Sequence, residues 1–311
     1  MAEDILMSKR YQDMSLFHFQ KKFATEKACW EHLVKMRWPH GFVCPRCGHD
    51  QASFHTIRKL LQCKGCRYQA SATAGTVFHK TRTPLRKWFW LIFMMSTHKT
   101  GVSIQGLQRL LGIKHYETVW TMAHKVRKAM AERDASYQLA GLIEMDDSYF
   151  GPSGQGLGGR GRGTKGKVPV VLAVENRGKK PGFAAMKVVD NVKSAHIAHF
   201  AKTKIKEQQS VKTDGYVSYY CLSDRGYELD MRIVGNGANA SKELPWVHTL
   251  VANVKSMLRG AHHGVSRKYL QRYLDEFCYR FNRRYWPSEL FNRLLKAAIV
   301  AAPVSCAELT R

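Results

Sequence analysis

The 311-residue chain carries 50 Lys and Arg against 24 Asp and Glu, a net charge of +26 with a pI near 9.9. A 44% hydrophobic fraction supports a packed core and excludes a largely disordered chain. The longest apolar run, Trp88 to Met95, is too short to span a bilayer, and the start of the sequence lacks a signal-peptide apolar region. The expectation is a cytosolic protein of two or three domains, with no membrane partner and a field suited to a polyanion, most often nucleic acid.

Residues 1–40 read as an N-terminal helical segment. Thr25 is the expected N-cap, and Ala28, Trp30, Leu33, Val34 and Trp38 form an apolar stripe that Pro39 and Gly41 end. Residues 41–80 contain Cys44-Pro45-Arg46-Cys47, fifteen further residues, and Cys63-Lys64-Gly65-Cys66. Each pair offers two thiolates from a tight knuckle, and two knuckles complete a closed tetrahedral site, so the spacing predicts a structural zinc held by Cys44, Cys47, Cys63 and Cys66. Disulfides are the alternative, and a reducing compartment disfavours them. Phe54, Ile57, Leu60 and Leu61 suit the hairpin of a zinc ribbon. The scattered Cys29, Cys221, Cys278 and Cys306 read as buried small hydrophobes.

Residues 81–135 are helical in pattern. Trp88, Phe89, Leu91, Ile92 and Met95 predict a core helix; a short helix over Ser103–Leu111 closes at Gly112, and another begins at Glu117. Two helices across a four-residue turn resemble a helix-turn-helix, with Thr118, Thr121, His124, Lys125 and Lys128 placed to meet a groove or a DNA backbone. A helical hairpin without DNA is the competing reading.

Leu142 to Gly151 then reads as a short buried strand that stops at Asp146 and Asp147. Ser210 to Tyr216 repeats the arrangement and ends at Asp214. Ionised carboxylates at strand ends call for a cation, and two such strands on one sheet edge suggest a two-metal site for phosphoryl chemistry. Strand alternation puts Glu144 and Asp146 on one face and Asp147 on the other with Ile143 and Met145, which favours Asp146. From Gly151 to Lys167 there are eight glycines and the basic residues Arg160, Arg162, Lys165 and Lys167. The run nearly spells a phosphate-binding loop, but Val168 replaces the magnesium-holding hydroxyl and a strand follows, which excludes nucleotide binding. A DNA-backbone contact and a solvated hairpin tip both fit. Three strands, a helix, two strands and a helix over residues 136–290 give an α/β core in ribonuclease H-like order. Trp246–Arg259 and Arg267–Arg284 are its amphipathic helices, the second ending in Arg280, Arg283 and Arg284. Residues 291–311 form a C-terminal helix and tail.

The cysteine pairs, the Asp146-Asp147-Ser148-Tyr149-Phe150-Gly151 run, Thr213-Asp214-Gly215-Tyr216, Trp246-Val247-His248-Thr249 with Asn253-Val254-Lys255, and Tyr273 to Arg284 together resemble the bacterial insertion-sequence transposases of the zinc-ribbon IS1595, or ISXO2-like, family. The resemblance runs from about Phe17 to Asn292. It implies a DDE-type ribonuclease H-like polynucleotidyl transferase, preceded by a zinc ribbon and a helix-turn-helix-like region. It also implies catalytic magnesium (two ions), double-stranded DNA partners (the terminal inverted repeats and the target), a homodimer or larger assembly on DNA, and a prokaryotic, nucleoid-associated location. Position by position, Asp146 and Asp214 match the catalytic acids and magnesium ligands, and Asn253 stands at the third position, where Glu is usual. An Asn oxygen can ligate magnesium but brings no charge; Asp230, Glu243 and Glu276 are the substitute acids, Glu276 foremost. Lys255, which cannot aim where Asn253 aims, is assigned to DNA phosphate, with Arg283 and Arg284 as further DNA contacts. Two other readings stand behind this one: a catalytically decayed transposase retained as a DNA-binding regulator, and a structure-selective nuclease.

Overall fold

Ser15 and Thr25 each accept a backbone N–H three residues ahead, both at 3.1 Å, and so cap two helices, α1 (Leu16–Lys22) and α2 (Glu26–Arg37). The computed structural model describes residues 15–55, 58–151, 166–232 and 240–311. These fall into two units: one comprises the chain up to His98, Ile104–Arg133 and Tyr285–Arg311; the other comprises Lys99–Ser103 and Asp134–Arg284. The five segments of the sequence reading regroup accordingly, since the C-terminal tail belongs with the N-terminal helices.

In the first unit, α2 is followed by β1 (Ala52–His55), β2 (Leu60–Cys63) and β3 (Gln69–Ser71), an antiparallel sheet in the order β1-β2-β3. Ile57, expected in the hairpin, lies outside the described residues. Next come α3 (Leu85–Thr97), buried on most sides as its composition requires, α4 (Ile104–Leu111) and α5 (Tyr116–Ala135). Gly112 follows α4 with a φ of 55°, the left-handed turn that glycine tolerates best.

The second unit is an α/β layer structure. β4 (Leu142–Phe150), β5 (Val168–Asn176) and β6 (Pro181–Val188) form an antiparallel meander, followed by α6 (Ser194–Lys204), β7 (Ser210–Asp214), a 3₁₀ stretch over Val217–Arg225, and β8 (Glu228–Arg232). α7 (Ala240–Glu243), α8 (Pro245–His262) and α9 (Arg267–Phe281) complete it. The strand order is β6-β5-β4-β7-β8, with β4, β7 and β8 parallel. One face of the sheet packs Phe150, Leu172 and Met186 against Leu250, Val254 and Leu274 of α8 and α9; the other packs Ile143, Met145 and Val171 against Ile197 and Phe200 of α6 and against Tyr219. β5 is sandwiched between β4 and β6 and covered on both faces, so its run from Val168 to Val174 is buried throughout.

The chain returns to the first unit with α10 (Leu290–Val300) and α11 (Cys306–Thr310). Phe291 of α10 joins Phe19, Phe23, Phe89 and Phe93 in an aromatic core with ring centroids 5.0–6.5 Å apart around it. Cys306 is exposed and Cys221 only half-buried, so the buried-hydrophobe reading holds for Cys29 and Cys278 alone. Their chemistry follows their surroundings: burial pushes the Cys29 thiol up to about 12.

β4 does not stop at the acids. Asp146 to Phe150 remain paired with Leu172 to Val168 of β5, while the parallel ladder to β7 ends at Glu144 and Lys212. The carboxylates therefore sit mid-strand on one edge and past the last rung on the other, where β4 and β7 stop bonding to each other.

Candidate active site and zinc centre

The two cysteine knuckles close as the spacing requires. Gly48 N–H donates to Cys44 C=O at 2.9 Å and Arg67 N–H to Cys63 C=O at 3.1 Å, turning each loop so that both thiols face inward. All four Sγ atoms lie within 4.8 Å of one another, with Cys44–Cys66 and Cys47–Cys63 at 3.6 Å. Zn–S bonds of about 2.3 Å in a tetrahedron set S···S near ~3.8 Å, so the cluster fits zinc, and no pair is bonded as a disulfide.

At the sheet, Glu144 and Asp147 identify the two faces. Glu144 is buried and accepts N–H groups from Trp246 (2.8 Å) and Val247 (3.0 Å) and the Asn176 amide (2.8 Å). It caps the start of α8 from within the sheet, and the helix N-terminus favours its charge. Burial pushes its pKa up, opposed by those donors and by Lys212. Asp147 points the other way and accepts the Tyr219 hydroxyl at 3.4 Å. Alternation places Asp146 on the Glu144 face. Continued two residues beyond the Glu144–Lys212 rung, the register and the strand period set Asp146 opposite Asp214 on that same face. Each is held by a backbone N–H: Asp147 N–H donates to Asp146 Oδ1 at 2.7 Å, and Tyr216 N–H donates to Asp214 Oδ1 at 3.2 Å across Gly215. Tyr219 is buried on the Asp147 side of the sheet; burial, then the charges of Asp147, Asp146 and Asp214, raise its pKa.

Two polar side chains of α8 are electrostatically coupled to this pair. His248 is within electrostatic reach of Asp214 and Lys255 of Asp146; burial lowers the pKa of both groups, and in each case the carboxylate opposes it. Asn253 lies on a different flank of α8. It is exposed, and at about 100° per residue it lies roughly 160° around the helix from Lys255. It shares a flank with Trp246, whose indole N–H bonds to Gly178 C=O at 3.2 Å in the β5–β6 turn. The substitute acids are engaged elsewhere. Glu276 is buried 3.6 Å from Arg280, Glu243 accepts from Lys212 at 2.8 Å, and Asp230 pairs with Arg232 at 2.9 Å. Among the described residues the four cysteines are the only group of three or more His, Cys, Asp or Glu ligand atoms gathered within 4.8 Å.

Several expected DNA contacts are internal. Arg283 is buried, 2.6 Å from Asp134, with its guanidinium 3.6 Å from the Tyr279 ring centroid. Arg284 donates to the carbonyls of Phe281, Gly182 and Pro181. Both arginines tie α9 to its neighbours, because buried carbonyls and a buried acid need donors more than solvent does. The α5 residues expected to meet DNA are partly engaged within the fold. Val119, Ala123, His124, Val126 and Arg127 are buried, Thr121 donates to Cys306 Sγ at 3.4 Å, and Lys128 bonds to Glu132 and to the Ala302 carbonyl. Lys125 is half-buried, and burial lowers its pKa. The C-terminal segment packs on part of this face, while Thr118, Thr121, Lys125 and Lys128 keep partial exposure. Lys167 remains beside Lys255, while Arg160, Arg162 and Lys165 lie outside the described residues.

The residues that sequence reasoning missed are Glu144, as the cap of α8, and Tyr219. An acid inside an apolar strand was the available signal for the first; nothing local marked the second. Glu144→Ala orphans two N–H groups at the helix start and should lower the unfolding free energy by about 2–4 kcal/mol, read by denaturant titration of the intact chain. A change within about 0.5 kcal/mol, the range of ordinary surface substitutions, would remove the cap from the account.

A family model described as a transposase zinc-ribbon domain matches residues 24–69, and one described as an ISXO2-like transposase domain matches residues 138–282. Together with the cysteine cluster they define the class: a zinc-ribbon protein with a transposase domain, which implies DNA binding. A protein of Halobacterium salinarum described as "Uncharacterized protein in transposable element ISH50" is 28% identical over 279 residues, covering 83% of this chain and 91% of that one. The chain belongs to the IS1595, ISXO2-like transposases. Among the described residues no helix is long and apolar enough to cross a membrane.

Proposed function

We propose that this chain is a DNA transposase that cuts at insertion-sequence ends and joins them to target DNA from a ribonuclease H-like core. The observation that carries the reading is the placement of Asp146 and Asp214 on one sheet face, on neighbouring parallel strands just past their last shared rung. The strand order β6-β5-β4-β7-β8, with helices on both faces, supports the fold assignment. Two carboxylates, each oriented by a backbone N–H, are a donor set suited to hard divalent cations, and magnesium is the fitting ion. Such ions, when bound, activate the attacking oxygen and stabilise the leaving one.

The chain's own groups do the rest. Glu144 fixes the start of α8 against β4, the helix whose His248 and Lys255 feel the charges of Asp214 and Asp146. Lys255 neutralises a DNA phosphate beside Asp146. His248, which feels the charge of Asp214, orients that carboxylate. Holding two ends together calls for a homodimer or larger assembly on DNA.

The test is cleavage of a duplex carrying the inverted repeats that flank the gene. Strand cutting at the repeat boundary should need magnesium and stop with a chelator. Among the described residues no third acid gathers with Asp146 and Asp214, which favours one other reading, a decayed transposase that only binds DNA. Tight end binding with no cutting in magnesium or manganese would establish it and overturn the first.

A further inference from the structure

On the face that carries Asp146, β4 leads four residues further into a cavity of about 670 Å³. At about 3.3 Å per strand residue this lies ~13 Å from the carboxylate, within about four base steps of duplex rise. Its walls combine two chemistries. Phe150, Leu258 and Val265 supply apolar surface; Lys167, Lys255, Arg259 and His263 supply the basic groups, and among the described residues no Asp or Glu lines it. Lys255 Nζ sits 5.4 Å over the Phe150 ring, at the junction of the two.

Lys167, Lys255 and Arg259 share one wall and repel one another, and an anion entering the cavity offsets that repulsion. A phosphate alone would not fill the space, which falls in the range of organic ligand sites. A paired duplex presents phosphates outward and would leave the apolar walls bare. An unpaired nucleotide offers what both parts lack: an anionic linkage for the cations and a flat, weakly polar base for the apolar wall.

We infer that this cavity holds one unpaired nucleotide of the bound DNA, swung out of the duplex beside the phosphate presented to Asp146 and Asp214. The inference rests on the proposed transposase reading, because it takes the DNA strand to run along this sheet face. It adds a preference: DNA with an unpaired residue near the cut position binds more tightly than the fully paired form.

The experiment measures binding, with chelator present, by fluorescence anisotropy of the full-length zinc-loaded protein. One probe is a 5′-phosphorylated duplex with two unpaired thymidines; the other is the fully paired duplex of equal length. Each is titrated at two salt concentrations to separate the general polyanion term. The unpaired probe should bind about tenfold more tightly. Leu258→Trp, which fills the cavity, should erase the preference and leave paired-duplex affinity unchanged. Arg259→Ala, at an exposed position, should reduce it severalfold and serves if the tryptophan variant does not fold. Equal binding of the two probes by the wild-type chain overturns the inference, as does equal loss of both in the variants. A failure of the catalytic reading registers elsewhere: Asp146→Asn that still cuts would sink that reading while this binding comparison stays readable.

Discussion

Asp146→Asn and Asp214→Asn are each expected to reduce magnesium-dependent cutting of the terminal repeats by more than about 10²–10³-fold, the range for losing one group that stabilises transition-state charge. Duplex binding should survive, because the net charge becomes more positive in each variant. Asp147→Asn is the informative control. Asp147 lies on the opposite face against Tyr219, so its loss should slow cutting far less. Should Asp147→Asn stop the reaction while Asp146→Asn cuts normally, the chemistry belongs on the α6 side of the sheet, and the face assigned by alternation is wrong. A partial result is also diagnostic. If Asp214→Asn cuts slowly and recovers with manganese, which binds weak ligand sets more tightly than magnesium, the residue contributes by holding metal.

Zinc removal is expected to unfold the ribbon while sparing β4 to β8. The module has three short strands, of three or four residues, and no large core: Phe54 in β1 is exposed to 45% and Val43 to 51%. Structural zinc contributes apparent free energies of about 10–16 kcal/mol in small cysteine-rich modules, well beyond what so few buried side chains supply. Metal analysis of reduced protein should find one zinc per chain, and Cys63→Ser should find almost none. Hydrogen exchange would then show fast exchange across residues 44–71, with slow exchange retained in β5, which is covered on both faces. Retained slow exchange in β1 to β3 after complete zinc loss would mean that packing, not metal, folds this sheet.

What could be read before any coordinates followed from short-range pattern. The cysteine spacing encoded a metal cluster because each knuckle closes within four residues. The Glu144 and Asp146 alternation encoded a shared face because a strand's period is two. The order of strands and helices encoded an α/β layer because each run had its own period. The boundaries moved where pairing partners decided them. β4 outran its acids because β5 kept bonding to it.

Long-range placement decided the rest. Arg283 and Arg284 looked like a DNA-binding cluster until buried acceptors at Asp134, Gly182 and Pro181, a hundred or more residues away in sequence, claimed them. Lys128 and Thr121 looked free until the Ala302–Cys306 segment folded over them. Asn253 and Lys255 were seen to be incompatible from helix geometry, but which of them faced the acids depended on the rotation of α8, and Glu144 sets that rotation by capping it. The amino-acid order thus determined which residues can share a knuckle, a strand face or a helix flank, since those relations span only a few residues. The tertiary structure alone determined which charges are spent inside the fold and which are left to meet DNA, since a charge is satisfied by whatever the distant chain brings beside it.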